Sequence, residues 1–512
     1  MPGRWATAVQ GEPEGPLLKS ATGGYTVTRD GRLSSRLSPE RMTLEAGHVL
    51  ARWSPVAGAV TTTDGGGDSM ALRGDTTAMR LSGGAWPLLL VLVVALSLRL
   101  WVVACCPWVS TDVHGYDRLA LNLIDGHGFS LSDGPPYAPN LFRTPVYPAF
   151  LGAIYRVFGY PTTAVLVAQA LLGTATCGLI YLIVRHFWNH RVALLATVFS
   201  AASPFIVYHT AVRLTETLHA FVMALGLYLL VCSWARPSIV LAAASGAVLG
   251  MAALCRPEVA FFPMFLAVLA VVFRRRSQPS AVSLIVLLVF AHLVMVPWIL
   301  RNYRVDGRIG FLARGGPAIG FWLSTLPYFS FDHFKVTPGY EGRDALLAEY
   351  LEPREDRFAT GELDSQMWRA GFDQIKADPW LYLRRRLRDY PRLWVPSGDY
   401  LLGAHNRSFG VATVQGRLGL LVLKALLLLL TGLLPLSLAV LGLWVSRLRL
   451  SHLLPVWVFP LYVSLTRIPF DIQPRLSLPA QPFMLAFAAA GAIWLWARLS
   501  RRTGVLRAGV SQ

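Results

Sequence analysis

The sequence predicts an all-α polytopic integral membrane protein with about ten transmembrane helices, and three observations carry that prediction. The 512 residues are 54% hydrophobic and only 15% charged. Ten apolar runs, at about 86–106, 161–184, 191–211, 216–235, 238–255, 257–273, 281–300, 418–446, 450–466 and 477–497, have the length needed to cross a bilayer core, roughly 20 residues. The short connections also sort by charge. Five of them, at about 185–191, 235–238, 274–280, 446–452 and 498–512, carry Arg and no acid, and all 21 Asp and Glu residues after position 80 lie in the segments between. Short loops rich in Lys or Arg stay in the cytoplasm. Both termini are therefore expected in the cytoplasm, and the whole acid inventory, with the chemistry it supports, on the extracytoplasmic face.

Residues 1–82 are of another composition: Gly, Ser, Thr and Arg, with the run Thr61-Thr62-Thr63-Asp64-Gly65-Gly66-Gly67 and no apolar core. They are expected to form a disordered cytoplasmic tail, or to precede a true start at Met70 or Met79. Residues 83–300 form a first transmembrane module, 301–417 an extracytoplasmic loop domain, and 418–512 the last spans with a short basic tail. The eighth run, 29 residues long, is expected to tilt or break near Pro435.

The net charge of +18 does not point to nucleic acid, because the basic residues are spread over loop ends, as positive-inside topology requires. The five Cys (105, 106, 177, 232 and 255) lie in or beside spans without metal-ligand spacing, which gives neither a disulfide framework nor a zinc site.

The first outside loop, about 108–160, is the densest in chemistry. Asp112, Tyr116, Ala120 and Leu123 recur at helical spacing, which predicts a short helix from near Asp112 to Gly126. A turn, Gly126-His127-Gly128-Phe129, leads through a Pro-rich stretch to Arg143-Thr144-Pro145-Val146-Tyr147-Pro148, and 146–158 reads as a second short helix on the membrane surface. Four later clusters put charge at the same edge: Arg213 with Glu216, Arg256 with Glu258, Trp298 with Arg301 and Arg304, and Asp471 with Arg475. A charge at mid-bilayer costs roughly 2.5–3.5 kcal/mol on insertion scales, so these groups must face water or a cavity. Arg99, inside the first span, fits none of these patterns.

In 301–417 an amphipathic helix is expected over 378–395, with Asp378 as N-cap and Pro379 in its first turn. One face carries Trp380, Leu383, Leu387, Tyr390 and Trp394, the other Arg384, Arg385, Arg386, Arg388 and Arg392. Such a helix lies in the headgroup plane, as an anchor or as a collector of lipid phosphate.

Together these residues resemble the membrane-embedded GT-C glycosyltransferases, and among them the family of protein O-mannosyltransferases and bacterial aminoarabinose transferases. The resemblance runs from about 86 to 497. It rests on Asp112, Tyr116 and Ala120 at intervals of four, on the Gly126–Phe129 turn and Arg143–Pro148, on Arg256-Pro257-Glu258, on Pro297 through Tyr303, and on Arg475-Leu476-Ser477-Leu478-Pro479. Many relatives carry two adjacent acids where this chain has Asp112 and Val113, and the long soluble C-terminal domain that some carry is not expected here.

The resemblance implies inverting transfer of a sugar from a polyprenyl-phosphate carrier to an acceptor hydroxyl. A base must take the acceptor's proton, and Asp112 is the candidate. The leaving phosphate needs fixed positive charge, for which Arg143, Arg256, Arg301 and Arg304 are candidates, Arg301 and Arg256 foremost. Tyr116, Asp117, Glu216, Glu258 and Arg475 complete the expected substrate-binding set. No cofactor is required and no metal site is predicted, although a loosely held divalent cation stays open beside the acids and His114, His127 and His219. The expected partners are the lipid-linked donor, membrane lipids and an acceptor that is a protein, glycan or lipid. The alternative reading is a transporter or flippase for a lipid-linked sugar, which would place polar groups at mid-span, break helices and show an internal repeat.

Overall fold

The computed structural model describes residues 25–27, 33–35, 85–105, 115–160, 162–273, 280–308, 312–326, 329–330, 335–336, 361–395 and 418–509. The chain divides into two units, Met1–Ser69 and Met70–Gln512. In the first, β1 (Tyr25–Val27) and β2 (Leu33–Ser35) pair antiparallel with Thr26 opposite Ser34. The remainder of the 1–82 segment expected to be a disordered tail lies outside the described residues, apart from this pair.

The second unit is helical, and each of the ten expected spans coincides with helix. α1 (Trp86–Cys105) is followed by two short helices, α2 (Tyr116–Ile124) and α3 (Val146–Phe158). Next come α4 (Thr162–Phe187), α5 (His190–Ala202), α6 (Pro204–Thr210), α7 (Thr215–Ala235), α8 (Ile239–Cys255), α9 (Phe262–Val272) and α10 (Ala281–Asp306). Among the described residues six helices are long and apolar enough to cross a membrane, or seven if α5 and α6, bent by 55°, form one span. The other three expected spans match shorter apolar helices of 10–17 residues, so length and composition do not establish the count of ten.

Helices restart after the Arg-rich turns for a local reason. Asn189, Ser238 and Ser280 each accept a hydrogen bond from a first-turn amide, those of Val192, Leu241 and Ser283, and so satisfy a donor that the helix itself leaves free. Close approach comes from glycine. A Cβ on Gly246 or Gly250 of α8 would stand 2.2 or 2.4 Å from the carbonyl oxygens of Leu287 and Ala291 on α10. This is the small-residue packing at four-residue spacing by which helices associate in lipid, where burial from water supplies no drive.

Beyond α10, α11 (Gly316–Thr325) packs on α12 (Gly361–Ala377), with Phe321 stacked on Trp368. β3 (Phe329–Ser330) pairs with β4 (Lys335–Val336). α13 (Pro379–Asp389) begins as expected: Asp378 accepts from the Leu381 amide at 2.8 Å and Pro379 follows. Its faces follow the expectation in part, since Leu383 is exposed with its apolar neighbours, and depart from it at one arginine. Trp380 and Leu387 are 76% and 68% exposed, whereas Arg386, expected on the polar face, is 4% exposed and donates to the Phe470 carbonyl at 2.7 Å. The apolar residues point outward, and Arg386 is drawn in by carbonyls left open at a loop.

The long eighth run is interrupted where expected. α14 (Leu418–Leu428) passes through a π-helical turn, Leu429–Leu433, into α15 (Leu434–Val445). Pro435 lacks the amide that a straight helix would aim at the Thr431 carbonyl, and the wider turn absorbs the mismatch. α16 (Leu454–Thr466), α17 (Pro474–Ser477) and α18 (Gln481–Gly509) complete the chain.

Candidate functional site

The connection between α1 and α4 is tied to the helix ends around it by hydrogen bonds of its own. Asn122 on α2 donates to the carbonyls of Ser130 and Ser132, at 2.8 and 3.0 Å, which folds the intervening turn back on the helix. Thr144 then donates to the carbonyl of Cys255, the last residue of α8, at 3.0 Å. That bond brings Arg143 and Tyr116 to the end of α8, where Arg256 begins the next turn. α2 itself starts later than expected: Gly115, at φ 71°, precedes Tyr116, and this left-handed residue marks the helix start. Asp112 and His114 lie outside the described residues, and so does any geometry around the expected base.

Asp117 is buried and fully engaged. Its Oδ1 accepts from the Tyr155 hydroxyl at 2.6 Å and its Oδ2 from Tyr160 at 2.9 Å, and Arg213 forms an ion pair with Oδ2. Burial, and then the bond to the carboxylate, push the Tyr155 phenol well above its ordinary value, so it remains a donor. Neighbouring Tyr116 packs edge-on against Tyr147 with centroids 5.0 Å apart. Burial raises its phenol too, while the adjacent Arg143 works the other way.

A second group begins at Arg256. Its guanidinium lies 3.1 Å from Glu216 Oε1 at the start of α7 and 2.8 Å from Glu258 Oε1. Burial opposes its charge, and Glu258 and Glu216 more than restore it. Glu258 continues to Arg467, at 3.3 Å, and Arg467 to Asp471, at 3.4 Å. Asp471 accepts from Gln473, which in turn accepts from Arg475 at 2.9 Å. One charged chain thus links the ends of α7, α8, α16 and α17. Glu216 Oε2 is buried in it without a hydrogen-bond partner.

The expected arginines differ in what they leave free. Arg256 is held by two carboxylates. Arg301 donates to the Asn140 carbonyl at 2.7 Å and to Asn302 at 2.9 Å, over the ring of Trp298 at 4.9 Å, and so binds α10 to the first loop. Arg304 is exposed. Arg143 lies over Tyr116 and Phe142, at 5.1 and 4.5 Å from the ring centroids, and its buried Nε has no hydrogen-bond partner. Sequence reasoning missed Arg467, Tyr155 and Tyr160. Arg467 stands four residues before Asp471, a helical ion-pair spacing that could have marked it. The tyrosines gave no local signal, because their partner lies 38 and 43 residues away.

Among the described residues no three His, Cys, Asp or Glu come together as a metal-ligand set. The described side chains therefore do not by themselves make a cation site.

Residues 142–300 match the family model described as dolichyl-phosphate-mannose-protein mannosyltransferase. The match takes in Arg143, Glu216, Arg256 and Glu258, stops just before Arg301 and begins after Asp117. No curated protein sequence matches the chain. Among solved structures, oligosaccharyltransferase AglB from Archaeoglobus fulgidus, in complex with an inhibitory peptide and a dolichol-phosphate, overlaps with 13% identity and a TM-score of 0.44. The overlap covers 83% of this chain and 52% of that one. The oligosaccharyltransferase of the same organism in complex with Zn and sulfate gives 14% identity, a TM-score of 0.45, and 82% and 51% coverage. ArnT from Cupriavidus metallidurans bound to undecaprenyl phosphate gives 17% identity, a TM-score of 0.38, and 80% and 77% coverage. The chain spans about half the length of the archaeal enzyme. The chain is a multi-pass membrane protein, and its resemblance to membrane-embedded glycosyltransferases is met in the stretch that the family model covers.

Proposed function

We propose that this protein is an inverting glycosyltransferase that moves a sugar, mannose among the candidates, from a polyprenyl-phosphate carrier to an acceptor hydroxyl on the extracytoplasmic face. The observation that carries the reading is the charged chain from Glu216 through Arg256, Glu258 and Arg467 to Asp471, which joins four helix ends beside the first loop within and next to the family match. A flippase needs its polar groups along a mid-membrane path. Here the ion pairs gather at helix ends, while Arg99 within α1 is a charged group inside a span.

In this reading Asp112 accepts the proton of the acceptor hydroxyl as its oxygen bonds to the anomeric carbon. The bond from that carbon to the phosphate oxygen breaks, and the carrier leaves as a phosphate monoester. No acid is needed for a leaving group that is already a stable anion. The cation that meets it is Arg143, which has no carboxylate partner among the described residues and whose Nε is unclaimed, ahead of Arg256, paired with Glu216 and Glu258, and Arg301, which donates to carbonyls. Glu216 Oε2 is placed to accept from a sugar hydroxyl. Asp117 and Tyr116 shape α2 rather than touch substrate. A divalent cation has no assigned step.

The test is transfer from radiolabelled polyprenyl-phosphate mannose and other polyprenyl-phosphate sugars by protein reconstituted in lipid, with Asp112→Asn in parallel. Loss of a positioned general base costs roughly 10²–10⁴-fold in rate. Carrier binding without transfer or hydrolysis by the wild type, whatever the donor, would overturn the enzyme reading in favour of a flippase.

A further inference from the structure

Arg99 is a cation inside α1 with 0% exposure, yet no carboxylate is among its hydrogen-bond and ion-pair partners in the described residues. Its Nη1 donates to the carbonyl of Ala95, one turn back on its own helix, at 2.9 Å. Its other contacts all lie on other helices. Nη1 reaches the Ala201 carbonyl at 3.4 Å, and Nη2 reaches the Ser200 carbonyl and the Cys177 Sγ, each at 3.5 Å.

Ser200 and Ala201 belong to the last turn of α5. A continuing helix would aim the amide of residue 204 at the Ser200 carbonyl, but residue 204 is proline and has no amide to aim. α5 stops at Ala202, Ser203 is extended at ψ 114°, and α6 leaves at 55°. The break strands carbonyls within a membrane span, where no water can satisfy them. They carry the partial negative charge of a helix C-terminus, which suits a guanidinium. The arrangement is reciprocal: the broken helix supplies the acceptors that a buried arginine needs, and the arginine supplies the donors that proline withholds. Gly173 on α4 fits the same account, because a Cβ there would stand 2.8 Å from Arg99 Nε.

The direction of α6 matters to the outer face. α6 ends at Thr210, and Gln169 of α4 donates to the Thr210 and Val212 carbonyls at 2.8 and 2.9 Å, which fixes the turn that follows. That turn delivers Arg213 to Asp117 and starts α7 with Glu216 against Arg256. We propose that Arg99 is a positioning residue: by capping the carbonyls freed at Pro204 it holds the α5–α6 bend that seats Arg213 on Asp117 and Glu216 on Arg256.

The experiment is amide hydrogen exchange on reconstituted full-length protein, read in segments 203–214 and 116–124, for Arg99→Met, Arg99→Lys and the pair Arg99→Met/Pro204→Ala. Arg99→Met is expected to speed exchange in 203–214 by about tenfold, the effect of losing hydrogen bonds worth roughly 1.4 kcal/mol. Exchange in α2 should rise with it, because Arg213 loses its seat on Asp117. Arg99→Lys, which keeps a cation at the helix end, should stay close to wild type in both segments. In the pair, the Pro204→Ala change supplies an amide for the Ser200 carbonyl, so protection should return near 203–206 while α2 remains as exposed as in Arg99→Met. Wild-type exchange in Arg99→Met, or recovery of α2 in the pair, would overturn the proposal. The consequence for turnover rests on the glycosyltransferase reading, but the exchange result does not. A protein inactive with every donor leaves this test standing, and an unchanged exchange pattern leaves the enzyme reading standing.

Discussion

The Arg213 guanidinium pairs with the carboxylate of Asp117, 96 residues earlier, and both side chains are 7% exposed. With Tyr155 and Tyr160 on the same carboxylate, this contact binds α2, α3 and the turn before α7 into one assembly. Removing one partner of such a pair strands the other as a buried charge, which costs roughly 3–5 kcal/mol. Arg213→Met and Asp117→Asn should each lower the melting temperature in detergent clearly, and the double variant by less than their sum. Strict additivity would show that the two residues do not act as a pair.

Arg143 and Arg301 should fail in different ways. Arg143→Gln removes the cation whose Nε is free and should cut sugar transfer by roughly 10²–10³-fold, the range for losing one donor to a developing anion, with little change in melting temperature. Arg301→Gln breaks the bond from α10 to the Asn140 carbonyl, and with it the bond to neighbouring Asn302 on α10, so its main effect should be a lower melting temperature. The opposite pattern would return Arg301 to the phosphate role.

Asp364 gives the loop domain an acid-range signature. Burial raises its carboxyl above the ordinary 3.8, while the Gly315 amide, donating at 3.1 Å, opposes the rise. A raised value means that the folded form binds the proton more tightly than the unfolded chain does. The stability of this region should therefore fall as pH rises from about 3.8 through the folded value. Asp364→Asn keeps an acceptor for Gly315 and should flatten that slope in pH-dependent melting. An unchanged slope would assign it to other groups.

The outward residues of α13 should meet lipid. Trp380 and Leu387 stand exposed beside Arg388, whose side chain is 75% exposed, in the pattern of a helix that lies at the headgroup level. A nitroxide at Leu387→Cys, in a background without native cysteines, should be more accessible to oxygen than to a water-soluble nickel relaxant in vesicles. Preference for the nickel reagent would place this face in water.

Local signals carried much of the fold. Asp378-Pro379 marked the start of α13, Pro435 the interruption near 431, and the apolar run with its prolines α3. The membrane edge at which charge gathers could be read from Arg256-Pro257-Glu258 and Asp471 through Arg475. What each arginine does there could not. Arg256 and Arg301 look alike in sequence, each near a proline at a helix end, and only distant partners separate them: Glu216 40 residues away for one, the Asn140 carbonyl 161 residues away for the other. The burial of Arg386 was hidden for a similar reason, because the carbonyl that draws it inward belongs to Phe470. Arg99 looked anomalous because, beyond Ala95 on its own helix and the Cys177 sulfur, its partners are backbone carbonyls on another helix, next to a proline distant in sequence.

Gly246 and Gly250 bring the backbones of α8 and α10 together with no side chain between them. Backbone contact of that kind couples the two helices closely. Arg256 sits just beyond the end of α8 and Arg301 lies on α10, so this contact ties together the elements that carry the two arginines. On the glycosyltransferase reading, a carrier with a long isoprenoid tail would have to enter sideways from the bilayer, through a part of the wall other than this joint.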